Sequence, residues 1–296
     1  MKRTGPVEWA LIFEVMKRRF DMIDVFGSGP VSGNPLAVVH DADGLTTDEM
    51  QRITRWLNLS ETTFLLPPTT LEADYRVRIF TLISELPFAG HPTLGSCHAW
   101  LQAGGVPNTQ GNVVQQCGAG LVLLQQGERL AFAAPPLERD GAVDAGHRSE
   151  VLVVLGLEES EIVDMAWVDN GPGWVGVLLA DPDDVLALAP DITPFTGDGH
   201  IDIGVIAPYQ EGSDVDFEVR AFFSDDKGSI LEDPVTGSLN ASLAQWLIGS
   251  HRAPSSYVAA QGTAIGRAGR AHISREEGHI WVGGSTTTLV SGEIDF

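Results

Sequence analysis

The stretch Leu231-Glu-Asp-Pro-Val-Thr-Gly-Ser-Leu-Asn-Ala-Ser-Leu-Ala-Gln-Trp246 decides how this chain is read. It begins as a turn, with Asp233 before Pro234 and then Thr236, Gly237 and Ser238. It continues as a helix whose Leu239, Leu243, Trp246 and Leu247 bury one stripe. A proline, small residues and a carboxylate mark a helix N-terminus. Free backbone N–H groups and the positive dipole end there can hold an anion. Asp233 either caps the helix or handles protons for a ligand, and Ser238 has the same two readings.

Working outward, Glu85-Leu-Pro-Phe-Ala-Gly-His-Pro-Thr-Leu-Gly95 has the same form, a turn opening a helix through Leu94, Cys97, His98 and Leu101. Glu85 precedes Glu232 by the same interval as Gly90 precedes Gly237, and His91 falls opposite Ser238. Upstream, Gly33-Asn-Pro-Leu-Ala-Val-Val39 is echoed by Gly171-Pro-Gly-Trp-Val-Gly-Val177. Two copies of one unit are expected, each a set of strands around one apolar helix. Strands are expected over 19–25, 36–39, 75–81, 113–116, 121–125 and 130–133, and a capping box at Thr46–Glu49 opens a helix through Met50, Ile53 and Leu57. Polar, Gly-containing 138–148 reads as a linker. A helix over 150–155, a short one over 184–188, strands near 162–168, 174–179, 201–207 and 217–223, and four more after the second motif complete the pattern. The class is α+β. The divisions expected are an extension over 1–18, one half over 19–135 and another over 136–285, with the final strand near 286–296 returning to the first half.

Composition narrows the function. Hydrophobic residues make up 43% and charged ones 20% of 296 positions, the balance of a folded globular protein. A net charge of −22 argues against nucleic acid or an anionic membrane as partner. Cys97 and Cys117 alone suggest no disulfide framework, so a reducing cytoplasm is expected. Lys2-Arg3 before Trp9–Phe13 resembles a signal peptide, but Glu8 and Glu14 break the apolar run. No uncharged apolar run reaches the ~18 residues of a membrane span.

Among candidate groups, Glu61 stands between Ser60 and Thr62 where a helix exits into a strand. Buried beside Phe64 its pKa would rise toward the useful range; the alternative is a solvated loop residue. His91, between Gly90 and Pro92, suits an acid or base, or simply satisfies local backbone groups. His98 is read as core or helix surface. No Walker loop, Gly-x-Ser-x-Gly elbow, dinucleotide fingerprint or zinc spacing occurs, and Lys2, Lys17 and Lys227 have no pocket context for a Schiff base. No cofactor and no metal are expected.

Together Asp24-Val-Phe26, Gly33–Val39, Asn58-Leu-Ser-Glu61, Glu85–Pro92 and Glu232-Asp-Pro-Val-Thr-Gly-Ser238 resemble the PhzF family of phenazine-biosynthesis-like isomerases, from about Arg19 to the C-terminus. The resemblance implies a diaminopimelate epimerase-like fold: two pseudo-symmetric β-rolls or barrels, each around a central helix, with the site between them. Glu61 matches the family's proton-moving glutamate, and His91, Asp233 and Ser238 match other site residues. Gly90 and Gly237 match glycines whose backbone faces the substrate, and Asn34 and Ser60 of the same motifs are taken as substrate-binding. Ala89 and Pro234 stand where the epimerase cousins carry their two cysteines, so a two-thiol reaction is not expected. The implied function is a cofactor-independent isomerase of a small anionic metabolite, working as a homodimer. An epimerase or racemase without catalytic thiols, and a non-catalytic binding protein, are the alternatives.

Overall fold

The computed structural model describes residues 17–193, 195, 200–225 and 228–295. The first half contains β1 (Lys17–Val25), β2 (Asn34–Val39), α1 (Thr47–Leu57), β3 (Glu61–Leu66), β4 (Tyr75–Thr81), β5 (Glu85–Leu86), α2 (Gly90–Gln102), β6 (Asn112–Cys117), β7 (Gly120–Gln126) and β8 (Leu130–Ala133). The second contains β9 (Arg139–Ala142), α3 (Ala145–Leu155), β10 (Asp164–Asp169), β11 (Trp174–Leu178), α4 (Pro182–Ala187), β12 (Asp202–Pro208), β13 (Phe217–Ser224), β14 (Ile230–Asp233), α5 (Gly237–Gly249), β15 (Ser256–Gln261), β16 (Gly269–Glu276) and β17 (His279–Gly284). The last strand is β18 (Thr286–Asp295).

The two halves repeat one connectivity. β2 lies parallel to β3, which turns back antiparallel into β4; β4 then takes β5 antiparallel and β6 parallel. In the second half β11, β12, β13, β14 and β15 follow the same sequence of pairings. β8 pairs with β17 and joins the halves, while β18 pairs antiparallel with β1 and β9 with β10. The α+β expectation of two pseudo-symmetric halves, each wrapped around a helix, holds.

Burial explains which helices are central. α1 is amphipathic, with Thr46 and Glu49 forming the expected reciprocal cap, and it covers one face of β3 and β4. α2 and α5 are apolar and small on nearly every side, the pattern of a helix enclosed by its own sheet. They meet at their first residues. A β-carbon added at Gly90 would lie 2.5 Å from Gly237 Cα, and one added at Gly237 2.7 Å from Gly90 Cα. Only a residue without a side chain permits that approach on either helix.

The repeat goes deeper than the motifs. In the first half Arg78 on β4 makes a two-pronged ion pair with Glu85 and lies over the Phe80 ring. In the second, Arg220 on β13 does the same with Glu232 and Phe222. Asp24 Oδ1 accepts from the Gly33 N–H, and Asp169 Oδ1 from those of Gly171 and Gly173, so each half closes the turn into its second strand with a carboxylate.

Some boundaries differ from expectation. The 138–148 linker is structured: β9 occupies part of it, and α3 starts at Ala145, capped by Asp144. Its polar, glycine-containing sequence hid both, because β9 is exposed and pairs with β10 only at a distance along the chain. β1 takes in Lys17 and Arg18 of the expected extension by pairing with β18; residues 1–16, with Lys2, and Lys227 lie outside the described residues. The short helix expected over 184–188 starts earlier, at Pro182, behind an Asp181 cap.

Candidate active site

Glu61 is the first residue of β3, where the parallel pairing with β2 begins. Alternation sends Thr62 and Phe64 toward α1 and puts Glu61, Thr63 and Leu65 on the α2 side; Thr63 Oγ1 accepts there from the Ser96 hydroxyl. Its side chain is only 16% exposed, so the solvated-loop reading fails. Its Oε2 lies 3.3 Å from His91 Nε2. Both atoms are buried and neither makes a hydrogen bond. Burial, and next the charge of Asp233, raise the Glu61 pKa well above its ordinary value.

His91 is placed by the first turn of α2. Burial holds its pKa at about 3, so the ring is neutral at physiological pH and takes no proton itself. Asn34 Nδ2 donates to His91 Nδ1 at 3.2 Å, which puts the ring proton on Nε2, facing Glu61. Of the sequence's two readings, a ring that is neutral at physiological pH fits a hydrogen-bond donor better than a titrating acid or base.

Asp233, the last residue of β14, does not cap α5. The position before the helix is Thr236, and no side chain caps the start. Asp233 accepts instead from the Thr236 hydroxyl at 2.6 Å and from Asn34 Nδ2 at 3.0 Å. Burial lifts its carboxyl to about 6 against the pull of those two donors, and the Glu232 charge adds to the rise. Asn34 Nδ2 also reaches the Val235 carbonyl at 3.0 Å, so this one amide ties β2, α2 and β14 together. Behind Asp233, Gln261 accepts from the Thr236 N–H and from Asn240, and donates to Thr236 Oγ1. A polar chain thus runs from Gln261 through Thr236, Asp233 and Asn34 to His91. Gln261 was not singled out in the sequence; its signal was a glutamine ending the apolar run Val258-Ala259-Ala260.

Gly90 and Gly237 meet between these groups, so two uncapped helix starts open at one place. Their free N–H groups and aligned dipoles offer positive potential inside an acidic protein. Ser238 is on the second-half side: Trp174 Nε1 is 3.4 Å from its Oγ, and Asn170 Nδ2 donates to its carbonyl at 2.9 Å. Ser60 sits on an exposed turn just before Glu61. His98 is not with this group; its ring nitrogens bond Thr286 and Thr288 of β18. Cys97 is buried in the α2 core with its thiol pushed up to about 12, far from thiolate chemistry at neutral pH. Among the described residues no three His, Cys, Asp or Glu side chains converge as metal ligands. No described helix is long and apolar enough to cross a membrane.

The family model of phenazine biosynthesis-like proteins, PhzC-PhzF, matches residues 23–293. The chain is 36% identical to antisense-enhancing sequence 1 of Schizosaccharomyces pombe, across 93% of this chain and 97% of that protein. It is 33% identical to trans-2,3-dihydro-3-hydroxyanthranilate isomerase of Pseudomonas aeruginosa, across 87% and 90% of the two chains. The fold matches the crystal structure of a PhzF-family protein from Enterococcus faecalis with a TM-score of 0.75 and 25% identity, covering 94% of this chain and 99% of that one. The sequence motifs, a twofold-repeated fold and whole-length similarity therefore agree, and the chain belongs to the phenazine biosynthesis-like (PhzF) family of isomerases.

Proposed function

We propose that this isomerase shifts a proton on a small, carboxylate-bearing ring, with Glu61 as the acid/base. The observation that carries the reading is the pair Glu61 Oε2 and His91 Nε2: buried, 3.3 Å apart and without hydrogen bonds, they are groups left for a ligand. An orphaned buried polar atom is costly unless something binds it.

In the reaction, the Glu61 carboxylate takes a proton from a C–H next to an unsaturated system, whose electron pair spreads over the conjugated atoms. The neutral carboxylic acid then returns that proton to another carbon, so the double bond moves and the enzyme is restored. Burial makes Glu61 a stronger base than a solvated glutamate, as proton abstraction from carbon requires. Asn34 holds the His91 ring in the tautomer whose Nε2–H is free to donate to the ligand beside Glu61. Ser238 and the N–H groups at Gly90 and Gly237 hold the anionic end of the ligand, and Asn34 and Asp233 fix the floor of the site. The chemistry draws on the chain's own side chains and backbone N–H groups, without a cofactor. A homodimer accompanies this reading by resemblance to the family, and sedimentation velocity tests it.

The dihydro-hydroxyanthranilate isomerised by the Pseudomonas relative is the first substrate to try. Incubated with it in heavy water, the chain is expected to give the rearranged product. Glu61→Gln should lose at least the ~10²–10⁴-fold that a positioned acid/base supplies. Turnover unchanged in that variant removes Glu61 from the role.

A further inference from the structure

The internal repeat gives Glu61 a counterpart. In the first half Glu61 stands opposite Leu36 on parallel β2 and opposite Thr81 on β4, next to the Thr62–Phe80 pair. In the second, Asp202 stands opposite Trp174 on parallel β11 and opposite Phe223 on β13, next to the Ile203–Phe222 pair. Phe80 and Phe222 are matched independently, because each lies under the arginine of its half's ion pair. Asp202 is therefore the residue that the pseudo-twofold carries onto Glu61.

Its side chain faces the matching helix. Gly204, on the same face of β12, packs so tightly that an added β-carbon would lie 2.3 Å from Leu239 Cδ1 of α5. One added at Gly173, beside Trp174, would lie 3.6 Å from Asp202 Oδ2. Trp174 reaches Ser238, the residue that the repeat matches to His91. Among the described residues no donor hydrogen-bonds the Asp202 carboxyl, unlike the carboxylates that close the turns. A second observation points to a ligand at this end: Asn170, nine-tenths buried, donates to the Ser238 carbonyl but leaves its Oδ1 without a partner.

We propose that Asp202 is a substrate-binding residue on the far side of the cleft from Glu61, donating its carboxyl proton to the ligand's carboxylate beside Ser238. This rests on the functional reading above and deepens it. The ligand class becomes an amino- or hydroxy-substituted carboxylate, because Asn170 Oδ1 offers an acceptor to an N–H or O–H. The role needs a carboxyl that stays neutral, and burial lifts Asp202 to about 7, with the nearby His200 opposing the rise and Asp169 adding to it. Glu61 and Asp233 are also raised and His91 lowered by burial, and Asp202 is not among the charges that shift any of the three.

The test is calorimetric titration of the full chain with anthranilate, the aromatic analogue of the relative's substrate, between pH 5.5 and 8.5. Affinity should fall toward tenfold per pH unit above about 7, as an ionised Asp202 repels the carboxylate. Asp202→Asn, isosteric and still a donor, should bind at low pH and show a clearly shallower fall, the remainder being the ionisation of Asp233 and Glu61. Asp202→Ala should weaken binding at pH 6 by on the order of tenfold to a hundredfold, the range for a hydrogen bond to a charged group. Anthranilamide, which has no carboxylate, should show no such fall with the native chain. Anthranilate binding with one pH profile in the native and Asp202→Asn proteins overturns the proposal and leaves the Glu61 reading standing. No anthranilate binding at any pH overturns the ligand class, and the Asp202 role with it.

Discussion

Glu61 and Asp233 bias each other. The Asp233 charge pushes Glu61 upward on top of the larger effect of burial, while Asp233, at about 6, is itself partly neutral near neutrality. Glu61 must be ionised to take a proton, so kcat/KM is expected to rise with pH along an acid limb lying above the ordinary glutamate range. Asp233→Asn removes a negative neighbour, so the Glu61 pKa falls and the limb should move to lower pH. A pH profile of the two proteins checks the sign, and a limb moving upward contradicts the assigned coupling. Residue identity was open to the sequence here, but roles were not. Asp233 beside Pro234 read equally well as a cap, and only the fold shows its oxygens taken by Thr236 and Asn34. The low pKa of His91 was equally hidden, because its burial depends on β-strands distant in sequence.

At the scale of elements, the two core helices are held by contacts that one methyl group disturbs. Gly90→Ala would put its β-carbon 2.5 Å from the Gly237 backbone, which cannot rotate away. Overpacking of this kind destabilises by about 1–3 kcal/mol, and because it separates the helix starts it should reduce activity beyond the stability loss. Urea unfolding together with turnover checks both effects; a stable, fully active variant means the helices tolerate separation. The ion pairs allow a graded comparison. Arg220 and Glu232 are 7% and 9% exposed, whereas Arg78 and Glu85 are 23% and 37% exposed. Glu232→Gln should therefore lose ~3–5 kcal/mol, the range for breaking a buried pair, while Glu85→Gln should lose ~1 kcal/mol or less. Equal losses in chemical denaturation would mean that burial does not set the difference. Both glutamates were legible as a repeat, since each begins a motif at one spacing. Their arginine partners and the Glu61–Asp202 match were not, because the intervening loops differ in length and only strand register aligns them.

The whole molecule carries −22 charges yet is read as binding an anion. Its far field repels such a ligand, while the attraction comes from two helix starts and buried donors within a few ångströms of it. Salt separates these contributions. The screening length shortens from about 10 Å at 0.1 M to about 3 Å at 1 M, which removes the long-range repulsion first and leaves close, buried contacts largely intact. Added potassium chloride should therefore lower KM for a carboxylate substrate severalfold, chiefly through faster association, and leave kcat near its low-salt value. A polyanionic enzyme whose site was an exposed basic patch would behave the other way, with KM rising as salt is added. Steady-state kinetics from 0.02 to 0.5 M salt, repeated with a neutral amide inhibitor whose affinity should not change, decides whether the positive potential of this cleft is buried at the helix ends.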